Sequence, residues 1–320
     1  MSYKVAITDY GTPDLSIETE ILASIGVTPQ GAQCKTVEDV IAHTADADAV
    51  IVGFAPIKAE AIAAMKKAKV IVRYGIGYDN VDVAAAKAAK IPVCNVPDYC
   101  LDEVADTTLG FILGTTRQIV RNAEIIRQGL WKSAVTAAEF HCLRNMTIGL
   151  IGYGRIGRAV AKRLAAFGCT LVVYDPMLPP GSPAADGATV IGLDELLAKS
   201  DLVTLHCPSL PTTKGMINRA NLAKMKRGAI LINTSRGDLT ITEDVVDALK
   251  SGQLSSIGFD VTNPEPLPAD SPLRGFPQAV INAHLASVSP QAQRRLRSTA
   301  AELAIAAIQG KPLKNVVNGV

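Results

Sequence analysis

Residues 146–176 read MTIGLIGYGRIGRAVAKRLAAFGCTLVVYDP, and this stretch decides the fold. The apolar run Ile148 to Ile151 reads as a buried strand. Gly152-Tyr153-Gly154-Arg155-Ile156-Gly157 follows as a tight turn, a helix-period segment comes next, and a second apolar run ends at Asp175. Strand, glycine turn, helix and strand in that succession form the context that a dinucleotide-binding fingerprint requires. Gly152 serves the turn, Gly154 lets backbone approach a pyrophosphate, and Gly157 lets helix and strand pack closely. The pyrophosphate would rest on the helix N-terminus, where unpaired N–H groups and the helix dipole favour an anion. Asp175 lies 18 residues beyond Gly157, where a carboxylate can accept bonds from a ribose diol and would repel a 2′-phosphate. The cofactor expected is therefore NAD rather than NADP.

Working outward, the chain on either side alternates short apolar runs with helical segments. Before the fingerprint, strand-like runs fall at Val5 to Thr8, Ala49 to Val52, Val70 to Val72 and Pro92 to Cys94, with helix-like stretches near 15–24, 37–42, 58–66 and 82–89. After it, Asp201 to His206 reads as the third strand of the cofactor domain, Gly228 to Asn233 as the fourth, Ile257 to Val261 as the fifth and Ala279 to Asn282 as the sixth. Strands alternating with helices imply parallel pairing, so the prediction is α/β with two doubly wound parallel sheets. The chain crosses between domains at the turn-rich Asn95-Val96-Pro97-Asp98, which leads into one long helix from about Leu101 to Gln128. It returns through a helix from Pro290 to Gln309, which begins after a Ser-Pro breaker. Arg294, Arg295 and Arg297 near its start could hold an acidic ligand but read rather as a solvated helix face. The expected domains are 1–99 with 287–320, and 100–286.

Composition bounds the partners. A length of 320 residues fits two domains, and a formal net charge of +2 suggests neither nucleic acid nor an anionic membrane. The six cysteines make no CxxC and no metal-ligand spacing, so they read as reduced thiols of a cytoplasmic protein, with no metal expected. MSYKVAITDYG reads as a strand and turn rather than a signal peptide. No apolar run approaches the roughly 18 residues of a membrane span.

Polar groups at the carboxyl ends of the cofactor-domain strands would face the nicotinamide or its neighbours. Arg236, Asp260, Glu265 and His284 fall there. Hydride transfer to a 2-oxo acid needs an anchor for the carboxylate, a polariser for the carbonyl and a proton donor for the alkoxide. The planar, permanently charged guanidinium of Arg236 can supply the first two. The imidazole of His284 can supply the third, because histidine ordinarily titrates near neutral pH. Glu265 would favour its protonated form. In the first domain, Arg73-Tyr74-Gly75-Ile76-Gly77-Tyr78-Asp79-Asn80 follows a strand but lacks the third glycine of a nucleotide loop. Successive N–H groups there could converge on an anion. Phe54, Tyr74, Tyr78 and Tyr99 are candidate pocket walls.

Taken together, RYGIGYDNVD (73–82), NVPDYCLDEVADTTLG (95–110), GYGRIG with YDP, LHCP (205–208), NTSRG (233–237), FDVTNPEP (259–266) and the isolated His284 resemble the D-isomer-specific 2-hydroxyacid dehydrogenases over essentially the whole chain. The resemblance implies a Rossmann NAD-binding domain inserted in a flavodoxin-like substrate domain. It implies catalytic roles for Arg236, Glu265 and His284, and a substrate carboxylate held at Ile76, Gly77 and Arg236. Cofactor contacts would fall on Thr108, Arg155, Ile156, Asp175, Pro208, Thr234 and Asp260 beside the three glycines. The implied partner is a small anionic 2-oxo or 2-hydroxy acid, and the implied assembly is a homodimer joined through the cofactor domains. Two branches stand as alternatives. The C-terminal binding proteins, which sense NAD(H), keep the same Arg, Glu and His but carry a Trp where this chain has Ser287. Phosphoglycerate dehydrogenases place basic residues where GFAPI (53–57) has none before Lys58.

Overall fold

Short runs of valine, isoleucine and leucine, buried on both faces, form most of the strands of the computed structural model, which describes residues 3–320. The chain separates into two units: residues up to Cys100 with Val288–Val320, and Leu101–Ser287. In the first, β1 (Val5–Ile7), α1 (Ser16–Leu22), β2 (Gln30–Gly31), α2 (Val37–Thr44), β3 (Ala49–Val52), α3 (Ala59–Ala64), β4 (Ile71–Arg73), α4 (Val83–Ala88) and β5 (Val93–Cys94) alternate along the chain. The strands pair in the order β2-β1-β3-β4-β5, all parallel. That is the flavodoxin-like doubly wound order, with its switch point between β1 and β3.

The second unit contains α5 (Leu101–Thr116), α6 (Ile119–Arg127), β6 (Thr147–Ile151), α7 (Arg155–Ala165), β7 (Thr170–Tyr174), β8 (Thr189–Val190), α8 (Leu193–Lys199), β9 (Leu202–Leu205), α9 (Arg219–Leu222), β10 (Ala229–Asn233), α10 (Thr242–Ser251), β11 (Leu254–Phe259) and β12 (Ala279–Ile281). Its strand order is β12-β11-β10-β9-β6-β7-β8. Counted from β6, this is the Rossmann order extended by one strand, with the switch point between β6 and β9. The last helix, α11 (Pro290–Ile308), belongs to the first unit and packs on β3 and β4. Ser289 caps it by accepting from the Ala292 N–H at 2.9 Å, and Pro290 occupies the first turn, where a missing donor costs nothing.

Period-two alternation sorts each strand between two cores. Ile148, Leu150, Leu202, Ile230 and Ile232 pack with residues of α5 and α7. Ile151, Val203, Leu205 and Leu231 pack with α8 and α10. In the first unit, Ala6, Val50, Val52 and Ile71 pack with residues of α2, α3 and α4.

Four sequence expectations are corrected. The long helix from Leu101 to Gln128 is two helices. Thr115 and Thr116 turn their hydroxyls back onto the carbonyls of Phe111 and Ile112, which weakens the helical ladder, and Gln118 then adopts a left-handed conformation (φ 53°). Asp201 to His206 is the fourth strand of its unit, because the two-residue edge strand β8 precedes it and is too short to leave a periodic trace. The strand expected at Ile257 to Val261 runs from Leu254 to Phe259 instead, leaving Asp260 just beyond its end. Arg297 is no solvated residue: it is 8% exposed and ion-paired with buried Glu18.

Gly149, in the middle of β6, tests the packing. A Cβ there would stand 2.4 Å from Ser200 Oγ and 2.6 Å from Leu196 Cδ2. Gly149→Ala is therefore expected to destabilise the fold by about 1–3 kcal/mol. A urea midpoint equal to that of the parent would show that this face of the sheet is looser than described.

Candidate active site

The glycine turn is shaped by backbone contact. Gly152 has φ +96°, and a Cβ on it would lie 2.6 Å from the carbonyl of His206; a Cβ on Gly157 would lie 2.3 Å from the Gly152 oxygen. Only glycine fits at either point. A Cβ on Gly154 would meet nothing within 4 Å, and no side chain caps α7. The chain thus leaves room above Gly154 and a helix N-terminus without a side-chain anion, the cradle a dinucleotide pyrophosphate needs. The Arg155 side chain is exposed and that of Ile156 half-buried at this end of the helix.

Asp175 follows β7 and clamps the turn. Its Oδ2 accepts the Tyr153 N–H at 2.8 Å and its Oδ1 the Met177 N–H at 2.9 Å. Each oxygen keeps a second lone pair for a ribose hydroxyl. Thr108 of α5 is fully buried, and its hydroxyl donates to Val104 O at 2.8 Å. A hydroxyl has one hydrogen, so in the 2.9 Å contact between the two side chains it is Thr234 that donates to Thr108. Pro208 is exposed after β9.

Arg236 stands where β10 ends. Asn233 builds the turn beneath it: its Nδ2 donates to Arg236 O at 2.8 Å, and its Oδ1 accepts from the Ser235 N–H at 3.0 Å. A Cβ on Gly237 would lie 1.9 Å from Thr262 O, so a glycine here lets the loops after β10 and β11 close together. The next loop carries Glu265, whose Oε1 lies 2.6 Å from His284 Nδ1. An ionised carboxylate only accepts, so Nδ1–H donates and Nε2 becomes the nitrogen that exchanges a proton. The bond from His284, aided by the charges of His284 and Arg236 and by a Thr262 backbone bond, holds the Glu265 carboxyl below its usual range against the opposing effect of partial burial.

His284 itself has φ +56°, a conformation that costs a non-glycine residue on the order of 1–3 kcal/mol. Asp260, 1% exposed, holds it there. Its carbonyl accepts the His284 N–H at 2.7 Å, and its carboxylate accepts the N–H groups of Leu285 and Ala286, each at 2.9 Å. Hydrogen bonds to a charged group contribute roughly 1.5–3 kcal/mol each, so the clamp outweighs the strain. Sequence reasoning placed Asp260 among cofactor contacts. Its carboxylate also serves the turn that carries His284, and Asn233 and Gly237, the ends of the NTSRG stretch, were given no role of their own. An Asn at a strand end, whose side chain can bond backbone two residues on, is the local signal that marks such a turn.

Among the other histidines, burial pushes His206 down to about 3, so it stays neutral, and the ring of His43 bonds Gln30 O at the surface.

In the first unit, the loop after β4 turns its carbonyls inward. The Arg73 guanidinium donates to Tyr74 O, Val96 N–H to Gly75 O at 3.0 Å, and Asn95 Nδ2 to Ile76 O at 2.7 Å. Among the described residues the N–H groups of Ile76 and Gly77 donate to no protein acceptor. Two adjacent amides without an acceptor make this loop a candidate anion site. Of the candidate walls, Phe54 is 74% exposed with the Arg73 guanidinium 5.3 Å over its ring. Tyr78 is half-buried. Tyr99 is buried, and the Tyr74 hydroxyl is committed to Glu18.

The family model described as "D-isomer specific 2-hydroxyacid dehydrogenase, NAD binding domain" matches residues 109–286. The chain is 37% identical over 283 residues to a D-3-phosphoglycerate dehydrogenase of Mycobacterium bovis, covering 88% of this chain and 53% of that protein. It thus spans about half the length of that relative. It is 38% identical over 293 residues to a glyoxylate reductase of Thermofilum pendens, covering 88% of this chain and 84% of the other. The solved structure of the TT0316 protein from Thermus thermophilus superposes with a TM-score of 0.88 at 36% identity, over 98% of this chain and 99% of that one.

Two outcomes test the site. Replacing Asp175 by Ala removes both the ribose acceptor and the Tyr153 clamp, so NADH affinity should fall about tenfold or more, while NADPH loses less. Fluorescence titration with both cofactors checks this, and an unchanged affinity ratio would refute the role of that carboxylate. The depressed Glu265 carboxyl gives a pH signature. Its contribution to stability is fully present above the unfolded value of about 4.3 and is lost as pH falls through the lower folded value. The melting temperatures of the parent and Glu265→Gln should therefore differ at pH 6 and converge on acidification below about pH 4. A constant gap would show that the bond to His284 does not hold the carboxylate.

Proposed function

The chain belongs to the D-isomer specific 2-hydroxyacid dehydrogenases, and on that premise we propose that it interconverts a small 2-oxo acid and its D-2-hydroxy acid, using NAD, in the cytoplasm. The observation that carries the reading is the 2.6 Å contact of His284 with Glu265, on a loop that also feels the Arg236 charge. Arg236 would bind the substrate and polarise its carbonyl, with the Ile76 and Gly77 amides receiving the carboxylate. When bound, NADH supplies the hydride to C2. His284 then passes the Nε2 proton to the oxygen that becomes the hydroxyl, and Glu265 stabilises the imidazolium beforehand. Thr108, Arg155, Ile156, Asp175, Pro208, Thr234, Asp260 and the three fingerprint glycines would hold the cofactor.

The assembly we propose is a homodimer joined through the second unit. Ile119 and Ile126 of α6 and the following Trp131 are 55%, 48% and 93% exposed, an apolar surface that a second copy would cover. No helix among the described residues is long and apolar enough to cross a membrane.

The mycobacterial relative favours a second reading, a phosphoglycerate dehydrogenase. Against it, Arg73 is engaged within its own loop, and the amides of Gly53 and Ala55 are already taken by the Asp9 carboxylate. The test is the rate of NADH oxidation across glyoxylate, hydroxypyruvate, branched and aromatic 2-oxo acids and phosphohydroxypyruvate. Unphosphorylated acids should turn over, and His284→Ala should be slower by on the order of 100- to 10,000-fold. A strict need for the phosphate would establish the second reading. Tight NADH binding with no turnover on any acid would point to an NAD(H) sensor.

A further inference from the structure

The first unit buries an ion pair that the proposed reaction does not use. Glu18 of α1 has a side chain only 1% exposed, and Arg297 of α11 one 9% exposed. The guanidinium grips the carboxylate at both oxygens, with Nε to Oε1 at 2.6 Å and Nη2 to Oε2, and Nη2 also donates to Asp14 O at 2.8 Å. A third group completes the cluster: the Tyr74 hydroxyl donates to the same Glu18 Oε1 at 2.6 Å. Burial and the adjacent carboxylate push this phenol well above its ordinary value, so it remains a donor at any working pH.

A buried ion pair is a poor source of stability, because the cost of desolvating both charges commonly cancels their attraction. Where such a pair is kept, its better-attested use is to specify one arrangement of the groups around it. Here the group specified is Tyr74, the residue immediately before the loop with the two unbonded amides. Tyr74 is held at three points: its N–H by Val52 O at 2.8 Å, its carbonyl by the Arg73 guanidinium, and its hydroxyl by Glu18. Next comes Gly75 at φ +143°, where a Cβ would strike the Arg73 guanidinium at 1.6 Å. Glycine is obligatory there, and glycine has almost no torsional preference of its own. The direction in which the Ile76 and Gly77 amides point is therefore set by the anchors on either side. Asn95 and Val96 hold the far side through the carbonyls of Ile76 and Gly75. Tyr74 holds the near side.

We propose that Tyr74, with Glu18 and Arg297 behind it, is a positioning residue that aims the Ile76 and Gly77 amides at the substrate carboxylate. The inference rests on the reading of those amides as the carboxylate site. Hydride transfer and proton transfer occur elsewhere on the substrate, so loosening this anchor should weaken substrate binding without slowing the chemical step. Tyr74→Phe keeps the ring and removes only the hydroxyl. Steady-state kinetics should show KM for the preferred 2-oxo acid rising about tenfold, the equivalent of one lost hydrogen bond, with kcat and the KM for NADH within about twofold of the parent. A companion variant, Gly77→Pro, deletes one of the two amide donors and should raise the same KM. An unchanged 2-oxo acid KM in Tyr74→Phe, with a raised one in Gly77→Pro, would overturn the positioning role alone. An unchanged KM in both would overturn the carboxylate site itself. A parallel decline of kcat, both KM values and melting temperature in Tyr74→Phe would show that the cluster only supports the fold.

Discussion

The structure depends first on a backbone contact that no side chain can enter. At the carboxyl end of β6, the chain passes so close to the His206 carbonyl and to itself that a Cβ on Gly152 or Gly157 would overlap main-chain atoms. This closeness brings the first turn of α7 against the strand ends at the sheet's switch point. From it follow the uncapped helix N-terminus, the space above Gly154, and the need for an acceptor at the end of β7 to hold the turn in place.

Carboxylates at strand ends do much of the remaining fastening. Asp9, after β1, accepts from the loop that follows β3. Asp175, after β7, accepts from the glycine turn. Asp260, after β11, accepts from the turn that carries His284. In each case a charged oxygen ties a loop end that would otherwise leave backbone donors unpaired, and such bonds are roughly twice as strong as neutral ones. The loops that would touch ligands are thus stiffened by side chains drawn from neighbouring strands. Asp260 shows the benefit most clearly, since it sustains a left-handed histidine that would relax without it.

The two units solve a related problem differently. In the second, one histidine is kept beside one glutamate by a clamp within the same loop cluster. In the first, the polar anchor of the candidate carboxylate loop reaches through the core to two helices, and its cost is offset by hydrogen bonds to both oxygens of the glutamate.

What the sequence determined by itself is whatever depends on near neighbours. The glycine fingerprint, the apolar alternation of the strands and the Ser-Pro start of α11 are local patterns with local causes, and they sufficed for both parallel sheets and for the two crossings. The tertiary structure alone decided who meets whom across long stretches of chain. Arg297 looked like one more surface arginine, yet it pairs with a glutamate 279 residues away, and nothing near Tyr74 in sequence tells that its hydroxyl meets the same glutamate. The break at Gln118 and the edge strand β8 escaped notice because a hydroxyl bonding its own helix and a two-residue pairing leave no periodicity to read. Periodicity records which face of an element is buried. It carries no information about the partner that buries it, and that choice is made only when the whole chain packs.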